Sequence, residues 1–153
     1  MSDAVTIRDL RDDEHAWANA QYRAIRFATT PVGAVALVAE HAGARVGLGR
    51  LVALAPDVLE LGGIWTDDAV RGRGIARTMV AALLARLAEA DRERPPVSAE
   101  RPPGLWCIPF VHLSAFYQSF GFAVRSPPWP PAIAAKVAEC VAHALPDVVV
   151  LAR

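Results

Sequence analysis

Lysine is almost missing from this chain: of 16 basic residues, Lys136 alone is not an arginine. No Gly-Lys-Ser/Thr run exists, so a nucleotide loop of the Walker type is excluded. Cysteine is nearly as scarce. Cys107 and Cys140 stand apart without Cys-x-x-Cys or Cys/His spacing, which argues against a disulfide framework and a metal site, and both read as small core residues. Charge of one sign is not in surplus either. Sixteen basic and sixteen acidic residues cancel, whereas a dedicated nucleic-acid binder carries a basic excess. No apolar run approaches the roughly 18 residues of a membrane helix. Met1-Ser2-Asp3-Ala4 lacks the basic-then-apolar pattern of a secretory signal, so a cytoplasmic location is expected.

What is present is a core. The 153 residues are 54% hydrophobic, enough for one domain, residues 1–153, to fold without staples. Alternating or apolar runs predict strands at 5–10, 33–40, 45–55, 58–66, 105–108, 122–124 and 148–151. His41-Ala42-Gly43-Ala44 reads as a hairpin turn. Residues 12–29 suggest one or two short helices. From Arg73 to Ala90, Ile75, Met79, Leu83 and Leu87 recur every fourth residue, the pattern of a helix with one face on a sheet. Short helices are predicted over 112–120, ended by Gly121, and over 132–145 after a proline-rich turn; 92–104 reads as a loop. The order defines an α/β fold, a single mixed sheet flanked by helices.

The segment Arg71-Gly72-Arg73-Gly74-Ile75-Ala76-Arg77 lies between the strand at 58–66 and the long helix. Strand, Gly/Arg loop and helix aim unpaired N–H groups and the positive end of a helix dipole at an anion. By itself the pattern is weak. A second signal, Tyr117 four residues before Gly121-Phe122, follows about 40 residues later on a short helix after the next strand.

Together these motifs resemble the GNAT superfamily of acetyl-CoA-dependent N-acetyltransferases, most clearly from Glu60 to Val124. The resemblance implies a mostly antiparallel mixed sheet, acetyl-CoA as cosubstrate, no metal, and a small-molecule or peptide amine as acceptor. Dimers are common in the family. The resemblance implies that Arg71, Gly72, Arg73, Gly74, Ile75, Ala76 and Arg77 wrap the coenzyme pyrophosphate, and that the backbone of Ile64, Trp65 and Thr66 holds the pantetheine arm. Tyr117 matches the general acid near the thioester sulfur; a core aromatic is its other reading. Glu60, flanked by Leu59 and Leu61, stands where histone-type members carry a base, and an ordered water is the alternative. The chain departs from the family at Phe110, where many members place an asparagine against the pantetheine.

The chemistry needs an oxyanion donor as well. A backbone N–H on the coenzyme-bearing strand can serve, and Gly62-Gly63 would permit the bulge that frees one. Leu113, Phe116 and Phe120 are expected to fill the core face of the short helix, leaving Tyr117 to point along the sheet. Trp17, Tyr22, Arg23, Arg26 and Phe27 are the candidate acceptor-side residues. His112 reads as a cap or surface residue, and the late helix with Trp129 either packs on the sheet or folds over the acceptor mouth. A non-catalytic acyl-CoA-binding sensor of the same fold is the competing function.

Overall fold

The computed structural model describes residues 4–93 and 104–153. Seven strands form one mixed sheet: β1 (Thr6–Asp9), β2 (Val35–His41), β3 (Ala44–Ala55), β4 (Val58–Thr66), β5 (Gly104–Cys107), β6 (Ala123–Val124) and β7 (Leu151–Ala152), in the order β1-β2-β3-β4-β5-β7-β6. Among the described residues four α-helices accompany it: α1 (His15–Ala24), α2 (Ile75–Arg92), α3 (Ser114–Gln118) and α4 (Pro131–Ala142). Most of the loop expected over 92–104 lies outside the described residues. The chain divides into two compact units, Met1–Val52 with Gly63–Val97, and Ala53–Gly62 with Ser98–Arg153. Strand β4 contributes residues to both.

In the first unit the alternation of strand side chains builds two layers. Val38 and Leu48 point to one face and pack with Leu10, Ala18 and Tyr22, the last two being i, i+4 neighbours on α1. Leu37 and Ala39 alternate with Val38, and Gly47 and Gly49 with Leu48, so these four point to the other face, which α2 covers. Ile75, Met79, Val80 and Leu83 of that helix are buried, each contributing about 1.5–3 kcal/mol. A Cβ at Gly47 would lie 2.9 Å from the Ile75 side chain, and one at Gly49 would lie 2.6 Å from Met79. The two glycines of β3 therefore let α2 approach the strand closely.

The turn before α1 is held by charge. Glu14 is buried and accepts from Arg8 Nη1 and Nη2 at 2.8 and 2.7 Å and from the Arg11 backbone N–H at 2.9 Å. The Arg8 hydrogen bonds, with that of Arg11, hold its carboxyl at about 2, below the ordinary 4.5. A depressed carboxylate stabilises the fold fully above the ordinary value and loses that contribution as pH falls through the depressed one. Glu14→Gln should cost on the order of 2 kcal/mol at neutral pH. Melting curves should show the variant and wild type converging between about pH 4.5 and pH 2; a constant gap across that window would refute the assignment.

In the second unit β5 runs parallel to β4, with Val58 opposite Gly104 and Glu60 opposite Trp106. β7 pairs antiparallel with both β5 and β6. The last strand is shorter than the apolar run at 148–151 predicts. Val148 makes only an isolated bridge to Phe110. Pro109 accepts from the Val149 N–H at 2.9 Å but has no N–H to return, so the ladder is interrupted there. Helix α4 packs on the sheet: Ile133 is fully buried with Val58 and Val150, and Trp129 joins that cluster. Gly121 adopts φ +90° just past α3, as a left-handed cap requires.

Candidate functional site

Strand β4 and the loop after it are built around backbone conformations that favour glycine. Gly63 sits at φ +60° within the strand, and Gly72 and Gly74 sit at +81° and +76° in the loop. Gly74 is the N-cap of α2. A Cβ at Gly72 or Gly74 would meet nothing within 4 Å, so the space over the loop is open. Arg71, Gly72, Arg73, Gly74 and Arg77 are exposed, while Ile75 anchors the helix start in the core. Arg71 pairs with Asp68 at 2.8 Å, and Arg73 Nη1 lies 3.4 Å from His41 Nε2. The four first-turn N–H groups of any α-helix have no intrahelical acceptor, and the helix dipole makes that end positive. Among the loop residues, arginines add formal charge beside those groups. The arrangement can hold a phosphate or pyrophosphate.

Ile64, Trp65 and Thr66 close β4, and a short 3-10 turn, Asp68–Val70, leads from them to this loop. Ile64 Cδ1 packs beside Gly49 on the α2 side, and the Trp65 ring meets Trp17 edge to face at 5.8 Å on the α1 side. Arg45 lies 4.2 Å over the Trp17 ring. Both Ile64 and Trp65 are partly buried against these neighbours.

Glu60 and Tyr117 belong to the second unit. A Cβ at Gly62 would lie 3.6 Å from Glu60 Oε1, so the carboxylate leans along β4 toward Gly62. Tyr117 corrects one expectation from the sequence. It is the buried residue of α3, 6% exposed, whereas Leu113, Phe116 and Phe120 are only partly covered. Its ring meets Phe116 and Phe122 edge to face at 4.9 and 6.2 Å. Burial drives its hydroxyl pKa up, with a smaller contribution from Cys107, so the group is a protonated donor across the physiological range. Cys107, also buried, has its thiol pushed up to about 12 by burial and by the Glu60 carboxylate. It is therefore an inert thiol standing near both groups.

Two residues make buried contacts beside β4 that the sequence did not disclose. Tyr22, expected on the acceptor side, is 2% exposed and donates to the Gly63 carbonyl at 2.8 Å. Arg50, not singled out at all, is buried. Its alternation with Leu48 and Val52 places it on an inward face of β3, and a cation at such a position was the available signal. His112 is exposed and stacks beside Phe110 at 6.1 Å, as a surface residue. Arg23 and Arg26 are exposed. A cleft of about 610 Å³ lined by Asp9, Asp12, His15, Asn19, Thr30 and Arg86, among others, contains none of the candidate residues. Among the described residues no cluster of three or more metal-ligating side chains occurs, and no helix is long and apolar enough to cross a membrane.

The central strand β4 of this mixed sheet carries the left-handed Gly63, and the chain then passes through the Gly/Arg segment into α2. Residues 33–124 match the acetyltransferase (GNAT) domain, and the chain belongs to that family. The fold is similar to N-acetylglutamate synthase from Neisseria gonorrhoeae complexed with coenzyme A and N-acetyl-glutamate (TM-score 0.69, 15% identity); all of this chain is covered, but only 35% of that one. It is also similar to an acyl-CoA N-acyltransferase from Pseudomonas aeruginosa (TM-score 0.64, 15% identity, 98% of each chain). A GNAT acetyltransferase from Staphylococcus aureus gives TM-score 0.64 at 12% identity, again over 98% of each. No curated protein matches the chain.

Proposed function

We propose that this protein transfers an acetyl group from acetyl-CoA directly to a primary amine of a small molecule or peptide. The observation that carries the reading is the run from Gly63 through the left-handed Gly72 and Gly74 into the N-terminus of α2. The coenzyme pyrophosphate docks on Arg71 to Arg77, and the backbone of Ile64, Trp65 and Thr66 holds the pantetheine arm. The neutral amine attacks the thioester carbonyl, a C–N bond forms, and negative charge develops on the carbonyl oxygen. The N–H of Ile64, one residue past the left-handed Gly63, donates to that oxygen. Collapse breaks the C–S bond, and Tyr117 donates its hydroxyl hydrogen toward the departing thiolate. Glu60 takes the proton that the amine gives up.

Titration calorimetry with coenzyme A, followed by free-thiol release from acetyl-CoA over a panel of amines, tests the reading. Tight coenzyme binding with amine-dependent thiol release supports it. Binding without release from any amine would favour a sensor. For the base, Glu60→Gln should lower turnover by a factor on the order of 10² and remove the acidic limb of its pH profile. An unchanged profile would move the base to water or to the substrate.

A further inference from the structure

The peptide that joins Gly63 to Ile64 is held by a side chain from another element. Tyr22 on α1, 41 residues away in sequence, donates its hydroxyl to the Gly63 carbonyl at 2.8 Å. Burial pushes that hydroxyl up to about 12, so it stays a donor at every working pH. The ring itself has little freedom. The Arg50 guanidinium carbon stands 4.2 Å over it, and Phe27 stacks on it at 6.5 Å with planes 9° apart. Arg50 in turn is fixed by neutral partners, Thr30 Oγ1 at 2.9 Å and the Ala28 carbonyl at 2.8 Å. A buried guanidinium held by neutral acceptors and an aromatic face is an expensive strut, and everything it braces converges on one carbonyl.

From this geometry we infer that Tyr22 is a positioning residue that aims the Ile64 N–H at the oxyanion of the transferring acetyl group. The link is covalent geometry. A trans peptide is planar, with its C=O and N–H pointing in opposite directions. Fixing the Gly63 oxygen therefore fixes the direction of the Ile64 hydrogen. The need for a clamp is equally physical. Gly62-Gly63 is the most flexible dipeptide a strand can contain, and a left-handed glycine can rotate its peptide out of line at little steric cost. A Cβ at Gly63 would stand 2.8 Å from both Tyr22 Oη and Arg50 Nε, so the clamp closes only around glycine.

This inference rests on the proposed acetyl transfer, and the experiment separates the two. The probe is acetyl-CoA labelled with ¹³C at the acetyl carbonyl, whose stretching band is read by isotope-edited infrared spectroscopy on the bound coenzyme. A donor aimed at the oxygen lowers that frequency, whatever the acceptor amine. The wild-type protein should show the lowered band. Tyr22→Phe, which keeps the ring and its packing, should bind the coenzyme within about twofold of wild type. Its band should return toward the free position, and turnover should fall on the order of tenfold, a fraction of the 10² to 10³ that removing an oxyanion donor costs. Leu10→Ala, in the same hydrophobic cluster as Tyr22, serves as the packing control: it should lower the melting temperature and leave the band in place. A wild-type band in Tyr22→Phe overturns the inference while the acetyltransferase reading stands. A wild-type protein that binds the coenzyme with an unshifted band also overturns it. Absence of coenzyme binding removes the functional reading and the inference with it.

Discussion

Tyr117→Phe should leave folding and coenzyme affinity nearly unchanged and cut turnover by a factor on the order of 10² or more, the scale of a lost general acid. The ring is the buried part of α3 and packs edge to face on Phe116 and Phe122, and phenylalanine keeps those contacts. Only the hydroxyl disappears. Burial raises its pKa away from that of an ordinary thiol, near 8.5. In the proposed reaction this phenol stays protonated until the C–S bond breaks, and the departing thiolate is the base it would donate to. Two measurements check this. Acetyl thioesters of more acidic thiols need the proton less and should recover part of the lost rate. Stopped-flow turnover with acetyl-CoA should show the full loss. A Phe variant that turns over at the wild-type rate makes Tyr117 a packing residue and leaves the thiolate to be protonated by water or another group.

Tyr117 also shows where sequence patterns stop. The spacing of Leu113, Phe116 and Phe120 suggested a core face that excluded the tyrosine, but a five-residue helix has too little periodicity to choose its face. The aromatic cluster with Phe122 made the choice instead. Where periodicity is long, the reading succeeded: α2 carries Ile75, Met79 and Leu83 inward over three turns, and β4 spans 58–66 as predicted. The loop was legible because Gly72 and Gly74 are needed for their backbone conformations, and those are local. The final strand was misjudged because its pairing depends on Pro109, far away in sequence. Arg50 on an inward face of β3 carried a signal of its own, but its contact with Tyr22 and the Tyr22 clamp were illegible for the same reason. Nothing within the helix of Tyr22 or the strand of Arg50 says that Gly63 lies at the other end.

Gly74→Glu should abolish measurable coenzyme binding, a loss of at least about 10² in affinity, while the protein still folds. Gly74 has φ +76° and caps α2. A non-glycine residue there costs about 1–2 kcal/mol. Yet a Cβ at this position touches nothing within 4 Å, so no neighbour has to move. A carboxylate at a helix N-terminus also gains about 0.3–1 kcal/mol from the dipole, which offsets part of the strain. The melting temperature should fall by a few degrees only. The same carboxylate occupies the place proposed for the pyrophosphate, competes for the first-turn N–H groups, and repels the incoming anion. Gly74→Ala separates the contributions, since it imposes the backbone strain without the charge and should weaken binding far less. Titration calorimetry with coenzyme A on all three proteins decides the matter. Wild-type affinity in Gly74→Glu would remove the anion site from residues 71–77, and equal losses in the Ala and Glu variants would assign the effect to backbone strain rather than to charge.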